Sequence, residues 1–245
     1  MFVDMAMVER YQEVAEIFYG RLRVNLKIRE AIIRFMDIIG ALVGLTFFAV
    51  PMLVIGMFVK KDGGEVFFKQ NRIGLNGKRF VMWKIRSMVV DAEMIRQELI
   101  AQSDVEGMFK MKDDPRITPI GKFIRKHSID EIPQFWNVLK GDMSLVGPRP
   151  ALEEEYEQYT EVEKERLTVK PGLTGLWQVN GRSNVDFNTM IALDLDYIAR
   201  RSVWLNIAIY LLYFNLLFFC AVIKSVLSRF NRIIPHKKTV YTPQR

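Results

Sequence analysis

The sequence is poor in the residue types that disulfide frameworks and histidine metal sites require. Its 245 residues include one cysteine, Cys220, which lies within an apolar run. A disulfide framework is therefore excluded, and a catalytic thiol is disfavoured because no histidine is near it in the sequence. Histidine occurs twice, at His127 and His236, which is too few for a histidine-rich metal site.

Several signature motifs are also absent. The sequence has no G-x-x-x-x-G-K-[ST] motif, which argues against a P-loop nucleotide hydrolase. It has no G-x-S-x-G motif, which argues against an α/β-hydrolase. The first residues do not follow the signal-peptide pattern of a basic segment, an apolar core and a small-residue cleavage site. We therefore expect the catalytic part of the chain to face the cytoplasm.

Apolar and basic residues are abundant instead. Half of the residues are hydrophobic, and 35 Lys and Arg residues against 28 Asp and Glu residues give a net charge of +7. A basic balance predicts an anionic partner, such as nucleic acid, acidic lipid or a phosphorylated substrate. With so many apolar residues, the composition favours a membrane surface over nucleic acid.

The first of two long apolar runs, residues 35–59, contains a single charged residue, Asp37, and is long enough to span a bilayer. Pro51 within the run predicts a kink. Basic residues flank it on both sides, with Arg34 before it and Lys60 after it, and this favours both ends on the cytoplasmic side. We therefore favour a re-entrant helix–break–helix over a spanning helix, and a buried soluble core is the least favoured alternative.

The second run, residues 203–223, has no charged residue. It either spans the bilayer or lies in the interface with its aromatic residues at the headgroup level. The basic tail at 228–245 suits an anionic leaflet. Residues 1–30 show amphipathic helical spacing, which fits an interfacial helix or an ordinary solvated one. The predicted organisation is an N-terminal amphipathic helix (1–30), a re-entrant helix (31–60), a catalytic domain (61–202) and a membrane-associated C-terminal segment (203–245).

Strand and helix signals alternate between the two apolar runs. Asn76-Gly77 lies between β-prone stretches and predicts a hairpin formed by residues 66–72 and 79–84. Hydrophobic spacing and start signals predict further helices. These helices cover residues 91–102, 119–126, 151–167 and 185–198.

The stretch from Asp113 to Pro150 is the most informative part of the sequence. It holds the adjacent acidic pair Asp130-Glu131, and prolines and glycines recur around the pair, which indicates a fixed backbone geometry. The spacing from Ser128 to Glu131 matches a capping box, although a helix that begins at Pro133 is an alternative. In either case the pair lies at or just before a helix N-terminus.

Two adjacent carboxylates among basic residues suit phosphoryl chemistry. One carboxylate can attack phosphorus and form an acyl phosphate, and the other can help to hold Mg²⁺ together with substrate phosphates. Basic side chains that would neutralise phosphate oxygens are Lys84, Arg116, Arg125, Lys126 and Arg149. The spacing alone also fits two acids that each stabilise a helix N-terminus by about 0.3–1 kcal/mol.

From about Ile28 to Arg229 the sequence resembles the bacterial sugar transferase family, the small monotopic phosphoglycosyl transferases. The resemblance rests on an R-x-x-D motif at Arg34 and Asp37 with the later Pro51, and on the segments FFKQNRIGLNGKRF, KIRSM, DDPRITPIGKFIRKHSIDEIPQFWNVLKGDMSLVGPRP and KPGLTGLWQVNGR. The long central motif is highly specific. One departure is the uncharged run 203–223, where the family usually carries lysines, and this leaves a second membrane span open.

The resemblance implies a fold and a reaction. The implied fold class is α+β, mostly α, with a re-entrant membrane helix, amphipathic interfacial helices and a small cytoplasmic α/β catalytic unit. The implied activity is that of an inner-membrane phosphoglycosyl transferase. It moves a sugar-1-phosphate, here expected to be a hexose phosphate, from a UDP-sugar to undecaprenyl phosphate with release of UMP. This step initiates exopolysaccharide, capsule or O-antigen synthesis.

The resemblance also implies roles for individual residues. Asp130 is implied as the nucleophile that carries a covalent phosphosugar, and Glu131, with Asp130, as the Mg²⁺ ligand. Expected substrate contacts are Lys84, Arg86, Arg116, Arg125, Pro148, Arg149 and Arg182. Anionic lipids are further expected partners, nucleic acid is not, and homo-oligomerisation is open. Two alternatives remain: direct transfer with Asp130 as a base, and a non-catalytic scaffold that binds anionic lipid or a partner glycosyltransferase.

Overall fold

The computed structural model describes residues 5–99, 114–181 and 185–213, and these form a mostly helical α+β fold. The helices are α1 (Met5–Val59), α2 (Ala92–Leu99), α3 (Pro119–Lys126), α4 (Gln134–Lys140), α5 (Glu153–Glu157), α6 (Glu161–Lys164), α7 (Leu176–Val179), α8 (Phe187–Arg200) and α9 (Val203–Tyr213). The strands are β1 (Phe67–Ile73), β2 (Arg79–Ile85), β3 (Ser144–Val146) and β4 (Gly172–Thr174). The predicted class is thus confirmed at this level, while Arg182 and the predicted basic tail lie outside the described residues.

Helix α1 is continuous through Pro51, so the helix break predicted there is not formed, and residues 5–59 of the two predicted segments 1–30 and 31–60 belong to one helix. The stretch Asn25–Asp62, which comprises most of α1 and the 3-10 turn after it, is the only one among the described residues that is long and apolar enough to cross a membrane. One face of this stretch exposes large apolar side chains, including those of Phe35, Phe47 and Leu53. An apolar face of this size on the protein surface is typical of a membrane-associated segment.

The opposite face of α1 contacts the folded part of the chain at two glycines. A Cβ atom added to Gly44 would lie 2.7 Å from the Phe135 ring of α4, and one added to Gly40 would lie 2.5 Å from Leu145 Cδ1 of β3. Four-residue spacing places both glycines on the same side of the helix. The absence of side chains there lets the backbone of α1 approach α4 and β3 closely.

The Arg34-x-x-Asp37 motif fastens α1 to the turn between α4 and β3. Arg34 donates to the carbonyl oxygens of Val138 and Leu139 near the end of α4, at 2.6 and 2.7 Å. These are carbonyls that a helix C-terminus leaves without intrahelical partners. Asp37, one turn later, accepts hydrogen bonds from Ser144 Oγ at 2.9 Å and from the Leu145 amide at 2.8 Å.

The predicted hairpin is confirmed. Strands β1 and β2 pair in antiparallel register from Phe67 opposite Ile85 to Ile73 opposite Arg79. Asn76, with φ of 54°, allows the left-handed turn that joins them. Successive side chains of a strand alternate between its two faces. Arg72 and Lys84, which are both even-numbered and pair with even-numbered partners, therefore lie on the same face of the hairpin.

Helix α4 is docked against the open edge of β2 by the fully buried side chain of Asn137. Its Oδ1 accepts from the Trp83 amide at 3.1 Å, and its Nδ2 donates to the Val81 carbonyl at 2.6 Å. The side-chain amide of Asn137 therefore provides hydrogen-bond partners for the backbone N–H and C=O groups at the edge of β2, as a neighbouring strand would. This contact also fixes the turn that precedes α4.

Two features differ from the sequence-based expectations. The single helix predicted over 151–167 is instead α5, α6 and a 3-10 turn (Glu165–Thr168). Helix α6 starts separately because Thr160 caps its N-terminus and forms a capping box with Glu163. In addition, β3 and β4, which were not predicted, pair in parallel with Ser144 opposite Gly172. Strands of three residues are too short to show an alternation of apolar and polar residues in the sequence.

Candidate active site

The adjacent acids Asp130 and Glu131 lie in the 3-10 turn Ile129–Glu131, immediately before α4. Ile129 and the buried Ile132 pack into the core and leave the two acids half-buried. Ser128, directly before the turn, has left-handed backbone angles of φ 54° and ψ 27°. A residue other than glycine pays on the order of 1–3 kcal/mol for this conformation, and such strain is concentrated at functional sites.

The predicted capping box at Ser128 is wrong, whereas the predicted position of the acidic pair is confirmed. The Ser128 side chain makes no capping hydrogen bond to the turn. Helix α4 begins at Gln134 with Pro133 in the preceding position, close to the alternative start at Pro133. The reason is local: the left-handed backbone of Ser128 departs from the extended conformation that a capping residue normally adopts.

Lys84 interacts electrostatically with both acids and with two other cations, Arg72 and Arg149. Desolvation and the neighbouring charge of Arg72 lower the pKa of Lys84 to about 8, with a smaller contribution from Arg149, while Glu131 and Asp130 act in the opposite direction. The structure therefore brings together Lys84 and Arg149, which were predicted, and Arg72, which was missed. Arg72 could have been found from the alternation of the hairpin, because it lies on the same face as Lys84.

Arg149 is held in place by acidic partners behind it. Its Nη1 donates to both carboxylate oxygens of Glu155, at 3.1 and 2.9 Å, and its backbone amide donates to Asp194 at 3.3 Å. Burial acts to lower the pKa of Arg149, but the Glu155 carboxylate outweighs it and the net direction is upward. Asp194 in turn pairs with the buried Arg166. Arg149 is thus a permanently charged and oriented cation beside the site.

Two other predicted arginines are engaged in contacts within the protein. Arg116 forms a buried, bidentate ion pair with Asp114, with N–O distances of 2.9 and 2.7 Å. Arg86 donates to Asp62 at 2.7 Å and to the Val59 carbonyl at the end of α1 at 3.0 Å. These contacts give both arginines a role in holding loops and helices, and their substrate contacts stay predictions.

The remaining predicted site residues differ in their surroundings. Arg125 is exposed on α3, and Pro148 is buried behind Arg149, where its carbonyl accepts from the Gly172 amide at 2.9 Å. Arg182 lies outside the described residues. Substrate binding by these three residues also stays a prediction.

Tyr213 is a site residue that the sequence interpretation missed. Its hydroxyl donates to Glu131 Oε2 at 3.1 Å from the last described residue of α9. The side chain is only 5% exposed. The sequence offers little to find it, because Tyr213 lies within the apolar run that was assigned to the membrane.

Comparison with known proteins decides the family. The sequence model described as bacterial sugar transferase matches residues 28–219, most of the chain. The chain belongs to the bacterial sugar transferase family. This sugar transferase therefore carries the acidic pair, its three cations and Tyr213 within the matched region.

Several named relatives share long stretches with this sugar transferase. The galactosyl transferase CpsE of Streptococcus agalactiae serotype III is 54% identical over 181 residues, covering 73% of this chain and 40% of that protein. The undecaprenyl-phosphate galactose phosphotransferase of Salmonella typhimurium is 42% identical over 201 residues, covering 79% and 42%. The exopolysaccharide production protein ExoY of Rhizobium meliloti is 38% identical over 182 residues, covering 72% and 80%. The chain spans about two fifths of the length of the first two relatives.

The donor set of the sugar transferase fits a magnesium ion shared with a substrate. Within residues 5–99, 114–181 and 185–213, no group of three or more histidine, cysteine, aspartate or glutamate residues could hold a metal ion alone. Magnesium, however, usually takes one or two carboxylates, with substrate phosphates and water completing its coordination. Asp130 and Glu131, adjacent and half-buried, supply such a pair.

Proposed function

We propose that this sugar transferase moves a sugar-1-phosphate, expected to be a hexose phosphate, from a UDP-sugar to undecaprenyl phosphate and releases UMP. The reaction would initiate the assembly of an exopolysaccharide, capsule or O-antigen type glycan. The observation that carries the proposal is the pair Asp130-Glu131, held in a strained turn and interacting with Lys84, which in turn has Arg72 and Arg149 as neighbouring charges. The names of the Salmonella and Rhizobium relatives support both the carrier lipid and the pathway class.

In the proposed first step, a carboxylate oxygen of Asp130 attacks the phosphorus that bears the sugar. A carboxylate–phosphorus bond forms, the bond to the bridging oxygen breaks, and UMP leaves with the bonding electrons. Carboxylates act as nucleophiles of this kind in other phosphoryl-transfer enzymes. The cations Arg72, Lys84 and Arg149 would neutralise the charge that develops on the phosphate oxygens.

In the proposed second step, a phosphate oxygen of undecaprenyl phosphate attacks the same phosphorus. The bond to Asp130 breaks, which restores the carboxylate and yields the lipid-linked sugar diphosphate. Glu131, together with Asp130, would hold Mg²⁺, which when bound neutralises phosphate charge and orients the leaving group. The two steps give a ping-pong course because UMP leaves before the acceptor reacts.

The proposed location is the inner membrane, with the catalytic domain at 61–202 facing the cytoplasm and anionic lipids around it. The apolar face of α1 supports the membrane contact. Both ends of its apolar stretch contact the same folded unit: Arg29 donates to the Arg201 carbonyl at 3.0 Å, and Arg86 donates to the Val59 carbonyl at 3.0 Å. A spanning helix would carry its ends to opposite sides of about 30 Å of hydrocarbon. The shared contact surface therefore supports an arrangement in which both ends of the unbroken helix α1 stay on one side of the membrane.

The proposal is tested with the purified chain in detergent, undecaprenyl phosphate, Mg²⁺ and a panel of UDP-sugars. We expect UMP release from at least one donor and a trapped radiolabelled phosphosugar on the wild type. Asp130→Asn should abolish both signals, because it removes the nucleophilic oxygen anion. Glu131→Gln should strongly reduce UMP release.

Other outcomes would select the alternatives. UMP release with sequential kinetics and no trapped species would contradict the covalent intermediate and leave Asp130 as a base for direct transfer. No UMP release from any donor, with cellular function intact in Asp130→Asn and Glu131→Gln, would support the membrane scaffold instead.

A further inference from the structure

We propose that Tyr213 is a positioning residue that orients the Glu131 carboxylate for the transfer reaction. Helix α9 then does more than associate with the membrane, since it supplies a residue that completes the active site. The inference rests on the proposed function, because positioning matters only if Glu131 acts in catalysis. It starts from the hydrogen bond between Tyr213 and Glu131 Oε2, at 3.1 Å.

Helix α9, which carries Tyr213, is anchored to the rest of the fold. In α9, Asn206 accepts from the Tyr197 hydroxyl at 2.8 Å, and Ile209 is buried in the main hydrophobic core. The start of the helix is capped by Ser202, whose Oγ accepts from the Leu205 amide at 3.2 Å. Asn206, Ile209 and Tyr213 follow the i, i+3, i+7 spacing of a single helix face. The same face that anchors α9 therefore presents Tyr213 to Glu131.

Burial fixes the phenol ring as well as the helix. Tyr213 is one of the buried residues of the fold, although Leu211 and Leu212 next to it in α9 are exposed. A buried ring has few alternative rotamers, so the direction of its hydroxyl is set by packing. The contact joins parts of the chain that are 82 residues apart in sequence. It therefore depends on the assembled fold and not on local structure.

A neutral phenol suits the orientation of a carboxylate that must keep its charge. An ionised carboxylate can only accept hydrogen bonds, and the tyrosine hydroxyl is a donor at neutral pH. A hydrogen bond to an ionised acceptor is roughly twice as strong as a neutral one. The nearby Lys84 would neutralise Glu131 if it formed the orienting contact instead. Tyr213 can hold one oxygen of Glu131 while the negative charge stays available to a divalent cation or a substrate.

The test compares two matched substitutions on α9 in the purified full chain. Tyr213→Phe removes the hydroxyl and keeps the ring, and Tyr210→Phe removes a hydroxyl one turn earlier on the same helix. With UMP release as the assay, we expect Tyr213→Phe to lower kcat about tenfold or more, the usual effect of losing an orienting partner. KM for the UDP-sugar should stay within about twofold, and Tyr210→Phe should leave both parameters near the wild type.

A second readout does not depend on activity. Thermal unfolding is measured for Tyr213→Phe, Glu131→Ala and the double variant. If the two side chains interact, Tyr213→Phe should lower Tm in the wild-type background and have little further effect in the Glu131→Ala background. Additive losses would overturn the contact itself.

The two assays separate failure of the inference from failure of the proposed function. Retention of wild-type kcat in Tyr213→Phe, while the wild type releases UMP, would overturn the positioning role alone. Equal losses of kcat in Tyr213→Phe and Tyr210→Phe would overturn it too, because they would indicate disturbed packing of α9. No UMP release by the wild type from any donor would overturn the proposed function and the positioning role with it. The Tm series would then report only on the contact.

Discussion

Lys84 combines two properties at the scale of single residues: it lies beside both acids, and its charge is easily lost. It lies on the same face of the hairpin as Arg72, and desolvation together with the charge of Arg72 lowers the pKa of its ammonium group to about 8. Arg149 differs, because its pKa is raised and its charge persists. Of Lys84 and the two arginines near it, Lys84 is thus expected to lose its charge first as the pH rises.

We predict that kcat/KM for the UDP-sugar falls as the pH rises through about 8. Lys84 is a cation below this pKa and neutral above it, so attraction to the phosphate oxygens is lost on the alkaline side. The profile of kcat/KM reports the free enzyme and is measured from about pH 6.5 to about 9.5. Lys84→Met should lower the rate about a hundredfold at neutral pH.

Lys84→Arg provides the control for this pH profile. Arginine keeps its charge throughout the range, so the alkaline fall should disappear even if the absolute rate drops. A wild-type profile that stays level beyond pH 9 would contradict the assignment of the fall to Lys84.

Gly44 is the second decisive single residue, because the backbone of α1 rests against the Phe135 ring at this point. We predict that Gly44→Ala destabilises the fold by about 1–3 kcal/mol, since the new methyl group overlaps a buried ring. Thermal unfolding in detergent measures the effect. Thr46→Ala, on the exposed face of the same helix, should shift Tm very little. An unchanged Tm for Gly44→Ala would show that α1 can move away from α4 at low cost.

At the scale of elements, α4 determines where the acidic pair lies. The helix is held by Asn137 against β2, by Phe135 under α1, and by Arg34 at its C-terminal end. Each contact comes from a different part of the chain. The turn with Asp130 and Glu131 therefore has little freedom to move relative to the hairpin that carries Lys84.

We predict that Arg34→Met lowers the free energy of unfolding by about 2 kcal/mol. The substitution removes two hydrogen bonds from a charged donor and leaves the Val138 and Leu139 carbonyls without this partner. Thermal or chemical unfolding in detergent measures the change. Arg79→Gln is the control, because the Arg79 side chain is largely exposed and its ion pair with the half-buried Glu153 should contribute at most about 1 kcal/mol. Equal effects of the two substitutions would contradict the role of the Arg34 hydrogen bonds in holding the C-terminal end of α4.

At the scale of the whole molecule, the apolar face of α1 and the folded unit lie on opposite sides of one helix. Phe35, Phe47 and Leu53 face outward, and Ala41 and Gly44 face the core. This arrangement predicts that the folded unit lies against the membrane along α1. The acidic pair would then be close to the headgroups, where a soluble donor and a lipid acceptor can both reach it.

We predict that both ends of the apolar stretch are accessible from the cytoplasmic side. Single cysteines at Lys27 and Lys60, in a Cys220→Ser background, should react with a membrane-impermeant maleimide in inside-out vesicles and resist it in intact spheroplasts. A cysteine at Phe47 should resist labelling in both preparations, because lipid covers it. Labelling of Lys27→Cys and Lys60→Cys from opposite sides would show a spanning helix instead.

Local signals in the sequence were sufficient for the hairpin, for α3 and for the position of the acidic pair. Asn76-Gly77 needs a left-handed turn, and Thr118 followed by Pro119 starts a helix, so neither depends on distant residues. The capping box at Ser128 failed although its spacing was correct. The left-handed backbone of that residue is not set by the local pattern of residue types.

The sequence by itself determined the chemistry that is present: a basic and apolar chain, an acidic pair within a specific motif, and membership in a family of sugar transferases. Only the tertiary structure decided which side chains surround the pair. Arg72 lies near Lys84 through the register of the hairpin, Arg34 fixes the helix after the pair from 104 residues away, and Tyr213 contacts Glu131 across 82 residues. Contacts between distant segments depend on packing of the whole chain, and periodicity or spacing within one segment carries no information about them.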